Sequence, residues 1–131
     1  MREKPLILVV DDEADLLEIM SENLRGAGFD PVVAHNAREG VDAAHKLHPD
    51  FILMDVRMPG ETGTDAALAI KQDPETKNIK IAFLSNMSDP WPATSAHRAT
   101  LAKELGMEDY IDKTADLSTI IARIRQILAR P

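Results

Sequence analysis

The residues best suited to chemistry are acids that directly follow short apolar runs. Asp55 closes the run 51–54, and Asp11 and Asp12 follow the run 6–10. A short apolar run closed by a turn signal is typical of a buried strand in a parallel sheet, and α/β proteins bind ligands at the carboxyl ends of such strands. Three carboxylates gathered there would repel one another unless a cation lay among them. Mg²⁺ is the natural candidate, since it binds carboxylates together with phosphate oxygens and water.

Two more polar residues follow predicted strands. Ser85 comes after the run 79–84, and Lys113 comes after the short run 109–112. We therefore expect a hydroxyl and a cation to join the acids at one edge of the sheet. Taken singly, each residue has a plainer interpretation: Asp55 and Ser85 are polar groups reaching solvent at a strand end, and Lys113 is a solvated charge. Asp11, likewise, is as well suited to capping a helix as to binding metal.

Hydrophobic periodicity predicts the elements that position these residues. The predicted strands cover residues 6–10, 31–34, 51–54, 79–84 and 109–112; the predicted helices cover about 13–27, 37–47, 64–71, 94–105 and 117–128. Asn36, with Glu39 three residues later, is expected to cap the second helix, and Asp116 the last. Strands that alternate with helices predict an α/β fold: one domain over 1–131, with a five-stranded parallel sheet, flavodoxin-like and doubly wound, with helices on both faces.

Composition excludes several classes of function. The chain has 131 residues, a net charge of −7 and no cysteine. The negative charge argues against a nucleic-acid surface, and the missing thiols exclude disulfides and zinc–thiolate sites. No apolar run approaches membrane-spanning length, and the N-terminus lacks a signal-peptide core, so the expected location is the cytoplasm. The four histidines (His35, His45, His48 and His97) have no ligand-like spacing and are expected on the surface.

The order and spacing of the polar strand ends resemble the receiver domain of a two-component response regulator, of the CheY-like, stand-alone type. The resemblance runs along the whole chain, from Asp11-Asp12 through Asp55 and Ser85 to Lys113, and includes the turn 58–60 and the stretch 105–113. It implies that Asp55 accepts a phosphoryl group from a histidine kinase or a small phosphodonor. Carboxylates are known nucleophiles for such a transfer, which depends mainly on positioning and charge neutralisation.

The same resemblance assigns roles around Asp55. Asp12, Asp55 and the backbone carbonyl of Arg57 would bind Mg²⁺, and Asp11 would support the ion through water. Lys113 would pair with one phosphate oxygen. Ser85 would bind another oxygen, and Asn86, at the mouth of the site, would also contribute to phosphate binding.

Switching is implied as well. Ser85 would move towards the phosphate, and Tyr110 would fill the space behind it. These movements would change the face made by the fourth helix, fifth strand and fifth helix, to which a downstream protein binds. On propensity alone, Tyr110 is a plain strand aromatic.

Three positions depart from the family pattern. Thr114 stands where the family usually has a proline, often after a cis bond, and a cis bond before another residue costs about 2.5–4 kcal/mol. Asn86 replaces a small residue. The segment between Ser85 and Lys113 is longer than usual and holds Trp91, the only tryptophan. The excess falls around residues 87–92, here called the Trp91 loop. This loop forms either a lid over the site or part of a partner surface, or it folds onto its own domain.

The predicted function is therefore a phosphoacceptor switch that promotes only its own phosphorylation and dephosphorylation. Its expected partners are a sensor histidine kinase or phosphotransfer protein and a downstream protein target, without nucleic acid or membrane. One alternative is a pseudo-receiver that binds partners independently of phosphorylation; another is that the chain is the receiver portion of a longer regulator. An aspartate-nucleophile phosphohydrolase fits less well, because the first strand ends in adjacent aspartates rather than Asp-x-Asp and no cap segment is present.

Overall fold

The structure is a computed structural model that describes residues 3–58, 62–85, 103 and 105–130. In these ranges the chain forms nine elements, four of them helices. They are, in order, β1 (Leu6–Val10), α1 (Ala14–Gly26), β2 (Asp30–Ala34), α2 (Ala37–Leu47), β3 (Phe51–Asp55), α3 (Gly63–Gln72), β4 (Lys80–Ser85), β5 (Asp109–Asp112) and α4 (Leu117–Leu128).

The five strands form one parallel sheet in the order β2-β1-β3-β4-β5. The chain steps outward from β1 to β2 and then crosses back to β3 on the other side of β1. This reversal between β1 and β3 is the topological switch point at which doubly wound folds bind ligands. The register places Val10 beside Met54 and Asp55 beside Leu84, so the carboxyl ends of the three central strands lie together. The predicted fold class is confirmed.

Among the described elements, two helices pack on each face of the sheet, and the alternation of side chains along the strands builds two cores. On one face, α1 and α4 pack over alternate strand residues, among them Ile7, Val9, Phe51, Leu53 and Leu84. On the other face, α2 and α3 pack over Leu8, Val10, Ile52, Met54 and Phe83. Helix α4 buries Ile120, Ile121, Ile124 and Ile127. The central strands are thus buried on both sides.

The helix starts show which predictions from the sequence patterns were accurate and which were not. Asn36 accepts a hydrogen bond from the Glu39 backbone N–H at 2.8 Å, which confirms the predicted cap of α2. Asp116 occupies the cap position of α4, but its side chain accepts no capping hydrogen bond. The predicted start of α3 at residue 64 is one residue late, because the Thr62 hydroxyl caps the helix by accepting from Asp65 N–H at 3.2 Å. The predicted helix 94–105 lies almost entirely outside the described residues.

His45 does not fit the expectation of a plain surface histidine. His35 and His48 are exposed as predicted, and His97 lies outside the described residues, but His45 is half-buried. Its Nε2 atom lies 2.7 Å from Asp73 Oδ2 and its Nδ1 atom 3.0 Å from the Val41 carbonyl. Both partners are acceptors, so both bonds form only when the ring is an imidazolium. The bond to Asp73 and then that to Val41 raise the pKa of His45.

We expect this pair to make a pH-dependent link between α2 and the end of α3. Because the folded-state pKa of His45 is raised, its contribution to stability is fully present below the ordinary histidine pKa of about 6.5 and is lost as pH rises through the folded-state value. NMR titration of the His45 ring should give a pKa above the ordinary value, and Asp73→Asn should lower it. Glu22→Gln, an exposed change on α1, should leave it in place. A His45 pKa insensitive to Asp73→Asn would contradict the pairing.

Candidate functional site

Three carboxylates meet at the switch point between β1 and β3. Asp55 is the last residue of β3 and is 2% exposed, and Asp11, just after β1, is fully buried. The Asp11 N–H donates to the Ala34 carbonyl at 3.1 Å, which continues the β1–β2 pairing and directs the side chain inward. Asp12 is exposed. One carboxylate oxygen from each residue lies within 4.8 Å of the others, a spacing that suits a single cation.

The two oxygens of the Asp11 carboxylate have different partners. Its Oδ1 atom accepts the Glu13 backbone N–H at 2.9 Å, just before α1 begins. Its Oδ2 atom lies 3.0 Å from Lys113 Nζ. The carboxylate therefore orders the entry to the helix and also faces the centre of the site.

Lys113 supplies the positive charge. Its backbone N–H donates to the Ser85 carbonyl at 2.8 Å, which prolongs the β4–β5 pairing. Its Nζ atom lies 2.7 Å from Glu13 Oε1 and 3.4 Å from Asp55 Oδ2, in addition to the contact with Asp11. The lysine side chain is only 13% exposed. The ammonium group is thus shared among three carboxylates.

The departure at Thr114 does not misdirect this lysine. No cis peptide bond occurs among the described residues, so the bond between Lys113 and Thr114 is trans. The Thr114 backbone N–H and hydroxyl both donate to Asp112 Oδ1, at 2.9 and 2.8 Å. Strand pairing and this small turn together aim Lys113 at Asp55 without proline.

The pKa values reflect burial first and an excess of negative charge second. Burial, and then the charge of Asp11, raise the pKa of Asp55 to about 6. Burial also raises the pKa of Asp11. For Lys113, burial alone would lower the pKa, but the bonds to Glu13 and Asp11 and the charge of Asp55 outweigh it and raise the pKa. One ammonium serves several carboxylates, so each acid has only part of a partner. The donor set and this charge imbalance both fit a divalent cation.

The connection from β3 to α3 folds back against Asp55. Arg57 N–H donates to Asp55 Oδ1 at 3.3 Å, Arg57 pairs with Thr62 across the connection, and Gly63 N–H donates to the Val56 carbonyl at 2.9 Å. A Cβ atom at Gly63 would lie 1.8 Å from the Asp55 carbonyl oxygen, so only glycine fits. In the sequence, Gly63 merely precedes the predicted helix 64–71, and nothing there signals this close approach.

The remaining predicted residues take the following places. Ser85, 1% exposed, ends β4 beside Asp112 of β5. Tyr110 is half-buried, and its ring packs edge-on against Phe83 with the centroids 6.2 Å apart. Phe83 precedes Ser85 by two positions, so Tyr110 packs on the side of β4 to which Ser85 belongs. Asn86 and the Trp91 loop lie outside the described residues.

Glu13 was also missed as part of the site. The helical pattern marked it only as the start of the first helix, whereas its side chain makes the shortest of the three contacts with Lys113. The available signal was its position, since it is a third acid immediately after Asp11-Asp12.

The fold and the acidic switch point define a receiver domain of a two-component response regulator. A family model described as "Response regulator receiver domain" matches residues 7–125, and the chain belongs to this family. Such a domain is a signalling module and not a classical enzyme.

Curated relatives include the "DNA-binding response regulator MtrA" of Mycolicibacterium paratuberculosis and that of Mycobacterium tuberculosis. Both are 34% identical over 124 residues, which is 95% of this chain. These residues cover 51% and 50% of the two relatives, so the chain spans about half of their length.

Solved structures show the same fold. A putative response regulator from Chloroflexus aurantiacus is 29% identical, with a TM-score of 0.84 and coverage of 97% of this chain and 99% of that one. The chemotaxis protein CheY4 of Vibrio cholerae has a TM-score of 0.82 at 24% identity and covers 95% of this chain and 98% of its own. At that identity the second likeness concerns the fold alone.

Within the described ranges, none of the helices combines the length and apolarity needed to cross a membrane.

Proposed function

We propose that Asp55 is the phosphoacceptor of this receiver and that Mg²⁺ binds beside it. The observation that carries this proposal is the burial of Asp55 at the switch point with Lys113 Nζ 3.4 Å away and the Asp11-Asp12 pair within reach. Asp12, Asp55 and the backbone carbonyl of Arg57 would hold the ion, and Asp11 would support it through water. Bound there, Mg²⁺ would neutralise charge on the carboxylate and on the incoming phosphoryl group.

The transfer itself needs one nucleophile and well-placed positive charge. An oxygen of ionised Asp55 forms a bond to phosphorus while the bond from phosphorus to the donor breaks, and the donor leaves with that electron pair. With its pKa near 6, Asp55 is mostly ionised at neutral pH and able to attack. Lys113 then pairs with one oxygen of the acyl phosphate, and the Ser85 hydroxyl donates to another. Asn86 would stand at the mouth of the site. Water attack reverses the modification, so the domain promotes its own phosphorylation and dephosphorylation.

Readout would pass through Ser85 to Tyr110. Movement of Ser85 towards the phosphate frees space behind it, and the Tyr110 ring, already packed against Phe83, can turn into that space. This alters the face formed by β5, α4 and the segment before β5. A sensor histidine kinase or phosphotransfer protein would supply the phosphoryl group, and a downstream protein would read the altered face. The net charge of −7 favours a protein target over nucleic acid for the domain itself.

Two arrangements of the output are consistent with the relatives. The domain, folded as one unit over 1–131, acts alone on a partner, or it belongs to a longer regulator such as the DNA-binding relatives. In both cases the cytoplasm, where histidine kinases expose their phosphodonor domains, is the proposed location.

Intact-mass measurement tests the phosphoacceptor directly. Incubation with acetyl phosphate and Mg²⁺ should add one phosphoryl group to the wild-type protein and none to Asp55→Ala. Asp65→Ala, which removes an exposed aspartate in the first turn of α3, is the matched control and should still accept the group. Chelation of Mg²⁺ with EDTA should suppress the reaction in both competent proteins.

Other outcomes would redirect the assignment. An adduct retained by Asp55→Ala would move the phosphorylation site elsewhere. If acetyl phosphate gives no adduct, the reaction is repeated with phosphorylated histidine kinases as donors. Failure with both kinds of donor would favour the pseudo-receiver. Turnover of generic phosphate monoesters without a retained phosphate would favour the phosphohydrolase.

A further inference from the structure

The shortest contact of Lys113 is with a residue outside the proposed phosphate and metal set. Its Nζ atom lies 2.7 Å from Glu13 Oε1, against 3.0 Å to Asp11 Oδ2 and 3.4 Å to Asp55 Oδ2. Glu13 and Lys113 are 100 positions apart, and the fold alone brings them together at the mouth of the site. In the absence of phosphate, the ammonium is therefore drawn towards Glu13 as well as towards the phosphoacceptor.

The three partners differ in how easily they can release the lysine. The Glu13 side chain is 61% exposed, whereas the side chains of Asp11 and Asp55 are 0% and 4% exposed. An exposed carboxylate that loses its partner is solvated by water at little cost, but a buried one is left uncompensated. Glu13 is thus the partner that Lys113 can leave when a phosphoryl group arrives.

We propose that Glu13 is a positioning residue that holds Lys113 in the unphosphorylated protein and competes with the phosphoryl group for it. The inference rests on the proposed function, because it needs a phosphoryl group on Asp55. In the resting state, Glu13 shares the ammonium and limits its pairing with Asp55. After transfer, the pull of Glu13 on Lys113 and its own negative charge both oppose the phosphorylated state. Glu13 therefore limits the stability of that state.

Beryllofluoride, which mimics a phosphoryl group on a carboxylate, measures this competition at equilibrium. At saturating Mg²⁺, Glu13→Gln should bind beryllofluoride about threefold more tightly than wild type, a factor in keeping with the strength of a partly exposed ion pair. Glu18→Gln is the control, because it removes an exposed negative charge from α1, the helix that Glu13 precedes, without touching Lys113. It should bind like wild type.

A second readout follows the lysine itself. NMR of the Lys113 side chain, with its Cε and Nζ resonances assigned through Lys113→Arg, reports the ammonium environment without metal or phosphate. Glu13→Gln should shift these resonances, and Glu18→Gln should not. A merely structural role for Glu13 would change unfolding rather than the Lys113 resonances and the beryllofluoride affinity, so urea unfolding of both variants completes the comparison.

The outcomes separate this inference from the proposed function. If the wild-type protein binds beryllofluoride and Glu13→Gln binds it with the affinity of wild type or of Glu18→Gln, the inference is overturned. The assignment of Asp55 as the phosphoacceptor would then still stand. Unmoved Lys113 resonances in Glu13→Gln would also overturn it. Absence of beryllofluoride binding by the wild-type protein would overturn both.

Discussion

Asp55→Asn should stabilise the protein at pH 7.5 in the absence of divalent cations, by about 2–3 kcal/mol from the raised pKa of the carboxyl group. That pKa is raised from the ordinary 3.8 to about 6, chiefly by burial and by Asp11. A carboxyl with a raised folded-state pKa binds its proton more tightly in the folded protein, so its contribution to stability is present below about pH 4 and is lost as pH rises through about 6. Asparagine keeps the shape without the charge.

Urea unfolding at pH 5 and pH 7.5 checks this result. The gain from Asp55→Asn should be larger at pH 7.5, where the wild-type carboxylate is ionised. Adding Mg²⁺ should stabilise the wild-type protein and narrow the difference, because a ligand that binds only the folded state shifts the equilibrium towards it. Asp42→Asn, an exposed change, should have little effect at either pH. A loss of stability in Asp55→Asn at pH 7.5 would show that the pairing with Lys113 outweighs the charge repulsion.

Gly63→Ala should destabilise the protein by about 3 kcal/mol, at the upper end of what overpacking in a dense interior costs. The added methyl carbon would lie 1.8 Å from the Asp55 carbonyl oxygen, a backbone atom held in the sheet that cannot turn aside. The start of α3 must move away instead, and the bond from Gly63 N–H to the Val56 carbonyl is strained with it. Because this connection abuts Asp55, acceptance of the phosphoryl group should also fall.

Gly26→Ala provides the matched control. Gly26 ends α1, and a Cβ atom there would meet nothing within 4 Å. The substitution should be neutral or stabilise by about 0.4–1 kcal/mol, since alanine reduces the entropy of the unfolded chain. Urea unfolding and the acetyl phosphate reaction should therefore separate the two glycines. Equal effects of the two substitutions would contradict the close approach at Gly63.

The site thus works against the stability of its own fold. Two buried acids with raised pKa values share one ammonium with a third, exposed acid, and a bound cation would relieve this charge imbalance. This is the physical reason to expect that ligand binding at Asp55 changes the energetics of neighbouring strand ends.

Much of this arrangement was determined by the sequence itself. Apolar runs closed by polar residues placed Asp11, Asp55, Ser85 and Lys113 at strand ends, and a parallel sheet must bring such ends to one edge. Local hydrogen-bonding chemistry also determined the cap of α2 at Asn36. These features depend on period and on near neighbours, which a sequence displays directly.

Tertiary structure decided the contacts that hydrophobic periodicity and residues adjacent in sequence cannot show. The contact of Glu13 with Lys113 joins residues 100 positions apart, and the bond from His45 to Asp73 spans 28 positions. The need for glycine at residue 63 arises from a backbone oxygen on another element. Each of these depends on the distance between atoms on separate elements, which is set only when the helices pack on the sheet. The kind of site can therefore be predicted from the sequence, whereas the sharing of Lys113 among three carboxylates depends on the fold.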